Sequence, residues 1–260
     1  MTVIWGKRKV ETELGYVADF CPICREIREL KVSRVGIANH IYFISIGKGN
    51  LAGHLGRCMQ CGTKIPVDAM KYETFEEGSN TALETLVQNT FPNLRSVYAE
   101  RLDIEERLKR QEPVSLPNRA KWLMEPFEYL IPEVEAKFAN ATMDKESNMG
   151  CISTVLLLII LCSGALMFEE SALARDSMII GMGLVAIVGL IYTIIQIMLA
   201  PHRYIQRNIV PRLSQALNPL NPSRQELQKC IATIKVKGSR LGKNVDEEKL
   251  WETIMHQRDQ

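Results

Sequence analysis

Seven cysteines occur in 260 residues, and four of them are paired by spacing: Cys21 and Cys24 in "CPIC", Cys58 and Cys61 in "CMQCG". A C-x-x-C turn sets two sulfurs on one side of a tight knuckle, where both can reach one ion at about 2.3 Å, and two such knuckles complete a tetrahedron. The same four residues would read as two disulfides in an oxidising space and as metal ligands in a reducing one. Which chemistry applies is decided by the elements around them.

Two of those elements are apolar. "CISTVLLLIILCSGALMF" (151–168) and "MIIGMGLVAIVGLIYTIIQIMLA" (178–200) carry no charged residue. As helices they span about 27 and 34 Å, enough to cross a bilayer. A pair of buried core helices is the competing reading, but such helices seldom lack a polar face over this length. The joining loop "EESALARDS" is short, which implies an antiparallel hairpin. Lys121, Lys137 and Lys145 precede the first span, and Arg203, Arg207 and Arg212 follow the second, while the loop holds only Arg175 among its acids. Positive flanks stay in the cytosol, so a two-pass membrane protein with both termini cytoplasmic is expected, in the cytoplasmic membrane if the cell is bacterial. "MTVIWGKRKV" has no apolar h-region, so no cleaved signal peptide is expected. The cysteine pairs then face a reducing compartment, and metal is the reading they favour.

Residues 21 to 62 resemble the four-cysteine zinc-ribbon class. On that pattern Cys21, Cys24, Cys58 and Cys61 match position by position as the ligands of a structural Zn2+, and Gly62 fits after the second knuckle. Arg25 departs from it, standing where many ribbons have Gly. The resemblance implies a small antiparallel sheet and leaves ribbon and treble-clef topologies both open. "RELKVSRVG" and "HIYFISIG" supply strand-forming residues, the latter with bulky side chains at both parities, while "GKGN" and "AGHLG" read as turns, with His54 a turn residue. A sheet this small cannot be held by its own core, so metal would supply folding energy.

Rubredoxin-like iron is the alternative metal. A thioredoxin-like dithiol is disfavoured, because no βαβ pattern surrounds "FCPICREI". Four thiolates close the site, whereas catalytic zinc keeps a position for water. H-E-x-x-H and G-x-S-x-G are absent, and "GSRLGKN" lacks the spacing of a phosphate-binding loop. An enzyme is therefore not the favoured reading, although a membrane-bound redox protein or enzyme survives as an alternative.

Between ribbon and membrane the pattern is helical. "TALETLVQNTF" offers a capping box, Thr81 with Glu84, and "NLRSVYAERLDIEERLKRQ" offers Asp103/Arg107, Glu105/Lys109 and Glu106/Arg110 as i,i+4 pairs on a solvated face. "NRAKWLMEPFEYLIPEVEAKFANA" carries an apolar set of Trp122, Leu123, Phe127, Leu130 and Ile131, which would pack on the earlier helices, the favoured reading, or lie in the headgroup region, and Pro126 and Pro132 should kink or divide it. After the spans, "PHRYIQRNIVPRL" would bring arginines to anionic lipid, and Ser223 would cap a tail helix. Cys151, Cys162 and Cys230 read as small apolar fillers.

The expected fold is α+β: a zinc-ribbon domain (1–72), a cytosolic helical region (73–149), a transmembrane hairpin (150–200) and a basic helical tail (201–260). Residues 1–72 hold 11 basic and 6 acidic side chains, 73–200 hold 10 and 18, and 201–260 hold 11 and 6. The spans contain no ionisable group, which argues against transport. The expected function is a membrane-anchored zinc-binding adaptor whose partners are the bilayer and a cytosolic protein. A nucleic-acid target is the further alternative, since residues 1–72 are basic before a four-thiolate zinc adds about −2.

Overall fold

The computed structural model describes residues 5–41, 44–45, 47–79, 81–110, 112, 116–139, 144–167 and 172–258. Its first element, strand β1 (Trp5–Cys21), lies ahead of the stretch that the cysteine spacing marks out. "KRKVETEL" hides it: polar side chains stand at both parities, so there is no alternation to read. β2 (Glu26–Ile41) returns antiparallel along nearly the whole of β1, from Cys21 opposite Glu26 to Trp5 opposite Ile41. A two-residue strand, β3 (Ile44–Ser45), folds back on the end of β2. β4 (Asn50–Cys58) pairs the other edge of β2, and β5 (Lys64–Val67) pairs β4, giving the order β1-β2-β4-β5. Tyr42 and Phe43 of "HIYFISIG" lie outside the described residues.

"AGHLG" is not a turn. It lies within β4, and His54 stands in the ladder between Arg34 and Val67. Its two glycines answer different needs: a Cβ on Gly56 would come within 2.9 Å of Val67 and 3.2 Å of Leu30, whereas Gly53 has open space but a φ of +147°. Glycine in a strand marks close approach as readily as a bend.

The helices begin with α1 (Leu83–Thr90), α2 (Leu94–Val97), α3 (Ala99–Lys109) and α4 (Leu116–Lys137). The expected capping box at Thr81 does not form: Ala82 is the cap residue, and Glu84 instead lies 3.1 Å from Arg95. Nor do Pro126 and Pro132 divide α4. Leu123, Phe127, Leu130 and Val134 are each at most 2% exposed. That buried stripe at helical spacing sustains the helix past the two missing backbone donors. The set is expected on the earlier helices, but α4 packs chiefly against the tail helices over 210–217, 224–236 and 240–244, and meets α3 through Arg101, which stacks on Trp122 and pairs with Glu125.

α5 (Lys145–Met167) and α6 (Ala172–Tyr204) are the two long apolar helices. They lie against one another where Gly189 meets Thr154, since a Cβ there would sit 2.2 Å from the threonine methyl. Many of their described side chains face outward: Leu156, Ile160, Leu184 and Val188 are 54–66% exposed. Cys151 and Cys162 are exposed too, so of the three supposed filler cysteines only Cys230 is buried.

α6 does not stop at the apolar boundary. A π-helical turn (Ile205–Ile209) carries it into α7 (Val210–Leu217), then α8 (Arg224–Val236), α9 (Arg240–Asn244) and α10 (Glu247–Arg258) follow. Ser223 caps α8 as expected, and Glu226 completes a capping box. One buried cluster joins Val17 and Leu30 of the sheet, Leu86 of α1, Phe127 of α4, Leu213 of α7 and Ile254 of α10. The arginines expected to meet lipid are paired within the chain: Arg203 to Asp144 at 2.7 Å, Arg207 to Glu146 at 2.5 Å and Arg212 to Glu133 at 2.8 Å.

Candidate metal centre

The strand order explains why two cysteine pairs 34 residues apart in register of sequence meet. β1 and β4 flank β2 and are both antiparallel to it, so they run the same way and end at the same edge. β1 ends on Cys21 and β4 ends on Cys58. Each is followed by a knuckle with the same backbone bond: Arg25 N–H donates to Cys21 O at 2.7 Å, and Gly62 N–H donates to Cys58 O at 2.9 Å. The residue closing each knuckle is left-handed, with φ of 59° at Arg25 and 73° at Gly62.

The four sulfurs lie within 4.8 Å of one another. Cys21 Sγ is 3.6 Å from Cys61 Sγ, and Cys24 Sγ is 3.8 Å from Cys58 Sγ. An ion holding four sulfurs at about 2.3 Å in a tetrahedron needs them about 3.8 Å apart, so these two separations suit a four-thiolate site. Cys21 and Cys58 are fully buried and Cys24 and Cys61 half-buried, with no disulfide among them. The cluster could hold a metal ion, and His40 and His54 stand on the strands rather than within it.

The four thiols act on one another's ionisation. Hydrogen bonds from the Cys21 and Cys24 thiols pull Cys58 down to about 7 and push Cys61 well below the usual thiol range. Cys21 is pushed up by its bonds to Cys24, Cys58 and Cys61 and by burial. Cys24 is lowered by Cys21 but raised on balance by Cys58, Cys61 and burial. Four sulfurs this close cannot all ionise without a cation among them, which is the condition a bound divalent ion satisfies.

The side chains that hold the knuckles were not legible as site residues. Arg25 is 3% exposed, and its Nε sits 2.6 Å from Glu105 Oε2 on α3. Arg101 Nε lies 2.8 Å from the other Glu105 oxygen and reaches Glu125 of α4 at 2.7 Å, while its guanidinium stacks 3.8 Å from the Trp122 ring. Glu105 is therefore buried rather than on a solvated face, and Lys109, its expected partner, pairs with Glu26 at 2.7 Å. The expected Glu106/Arg110 pair does form, at 3.0 Å. Burial lowers the Arg25 pKa, and Glu105 opposes that.

Both knuckles also touch α7. Arg25 Nη1 donates to Ala216 O at 3.3 Å. Thr63 Oγ1 is 3.3 Å from Cys61 Sγ and 3.5 Å from Arg212 Nη1. Only Arg25 carried a signal in the sequence, as a non-glycine residue in a glycine position. Glu105 and Arg212 looked like ordinary helix-face charges.

No protein-family model, curated protein or solved structure matches this chain.

Proposed function

We propose that this chain is a two-pass membrane protein whose cytosolic β-sheet is closed by a structural zinc ion on Cys21, Cys24, Cys58 and Cys61, and that it serves as an adaptor for a cytosolic partner. The observation that carries the reading is the convergence of four sulfurs from two hairpin turns at tetrahedral spacing. When bound, zinc supplies a rigid cross-link between the β1–β2 and β4–β5 turns. Four thiolates leave no position for water or substrate, so the role is architectural.

The membrane reading is supported by two helices long and apolar enough to cross a bilayer, with 11% and 6% of their most apolar windows buried. A core helix of a soluble protein is mostly buried. These expose apolar side chains around their circumference, which is favourable in lipid and costly in water. The cytosolic assignment of both termini follows the arginines and lysines at the open end of the helix pair.

Purified protein should be colourless with one zinc per chain; a red protein absorbing as an iron thiolate would replace zinc with iron and the structural role with a redox one. Reporter fusions at each terminus should both read as cytosolic, and a terminus on the far side would overturn the topology. Affinity capture from solubilised membranes should recover a protein that is lost on Cys58→Ser.

A further inference from the structure

The distal half of the β1–β2 ribbon has no acidic residue. Residues 1–10 hold Lys7, Arg8 and Lys9, and residues 30–67 hold Lys31, Arg34, Lys48, Arg57 and Lys64, with no Asp or Glu in either stretch. The register puts 5–10 opposite 36–41, so the two acid-free segments form one two-stranded ribbon. The nearest acids, Glu11 and Glu13, are held by Lys64 and Lys31 at 2.6 Å each. Among the described residues Lys7, Lys9 and Lys48 are exposed and belong to no ion pair. Arg34 donates to the backbone oxygens of Lys48 and Gly49 at 2.9 Å each, which holds the turn bearing Lys48 against the ribbon.

A four-thiolate zinc would offset this charge if it were close, but it is at the other end of the sheet. Twelve residues of strand separate Lys9 from Cys21, about 40 Å at roughly 3.3 Å per residue. That is several Debye lengths at physiological salt, about 8 Å. The ribbon therefore presents its own positive potential whatever the metal carries.

We infer that this ribbon is a binding surface for the phosphate backbone of double-stranded nucleic acid. Strand alternation puts Lys7 and Lys9 on one face and Arg8 on the other. A flat lipid surface can meet one face at a time, whereas a groove encloses both, and the major groove of a DNA duplex, about 12 Å wide, admits a two-stranded ribbon. The six paired residues at its end extend about 20 Å.

The test uses the full-length, metal-loaded protein in nonionic detergent and a fluorescent 20-base-pair duplex, titrated from about 50 to 200 mM salt. Binding should weaken linearly in log salt. Lys7→Gln/Lys9→Gln should lower that slope by about 2, so that the double variant loses about tenfold less affinity over the titration. Lys229→Gln/Lys235→Gln, exposed on α8, removes the same charge and should keep the wild-type slope. Unchanged metal content together with an unchanged far-ultraviolet circular dichroism spectrum in every variant shows that the sheet is intact. Absence of binding at 50 mM salt, or a wild-type slope in the Lys7/Lys9 variant, overturns the assignment. Displacement of the duplex by phosphatidylglycerol micelles at equal phosphate concentration overturns it in favour of a lipid surface.

Discussion

The two knuckles have one backbone design and different means of holding it. Both place a left-handed residue after the second cysteine, at φ 59° in one and 73° in the other. In the second knuckle that residue is Gly62, which takes the conformation without a Cβ penalty. In the first it is Arg25, for which the left-handed region costs about 1–2 kcal/mol. The second knuckle exposes Met59 at 47% and meets α7 through the Thr63–Arg212 contact at 3.5 Å, whereas the first is buried against both α3 and α7. The difference teaches that a costly local conformation is sustained where tertiary contacts over-determine it. Arg25 is tied to Glu105 and to Ala216 O, so the first knuckle docks on two helices, while the second has the longer Thr63–Arg212 contact with α7.

The largest effect would remove what the knuckles share. Cys21→Ser, or a strong chelator, should abolish metal binding and unravel the cysteine end of the sheet, because the metal's binding energy is folding energy there. Loss of zinc stoichiometry with increased hydrogen exchange at Glu26 to Leu30 and Cys58 to Lys64 would be the signature. Full protection without metal would show that packing alone holds both turns.

Glu105→Gln should separate the knuckles. It strands a buried guanidinium, and breaking a buried ion pair from one side costs about 3–5 kcal/mol. Denaturation of the metal-loaded protein should show that loss, with exchange rising at the first knuckle and not at Gly62. A cost under about 1 kcal/mol would mean that Arg25 is not held by α3.

Arg25→Gly relieves the backbone and removes the charge, so it should cost less than Glu105→Gln. Combined with Glu105→Gln, it should recover part of the loss, with a coupling of about 1–3 kcal/mol. Additive single effects would contradict the assigned pair.

The smallest change is Gly62→Ala. A Cβ there has space, its closest neighbour being Arg57 Nη2 at 4.0 Å, so only the left-handed backbone is penalised, by about 1 kcal/mol. A substantially larger loss would reveal a tertiary constraint on the second knuckle as well.

What the sequence determined by itself is whatever depends on spacing or on composition. C-x-x-C twice states the site, because a knuckle is a local object and its two sulfurs converge whatever lies around them. Two uncharged runs, about 27 and 34 Å long as helices, state the helix pair, and Ser223 after Pro222 states a helix start. The tertiary structure decided what depends on distant neighbours. β1 has no readable alternation because its distal half is solvated on both faces. "AGHLG" reads as a turn until Leu30 and Val67 crowd Gly56. Glu105 has the same local pattern as Glu106, yet one is buried on Arg25 and the other solvated on Arg110. The charge of a residue is written in the chain, but its desolvation is set by what packs over it, and here the partners lie 80 residues apart for Arg25 and Glu105 and 191 apart for Arg25 and Ala216.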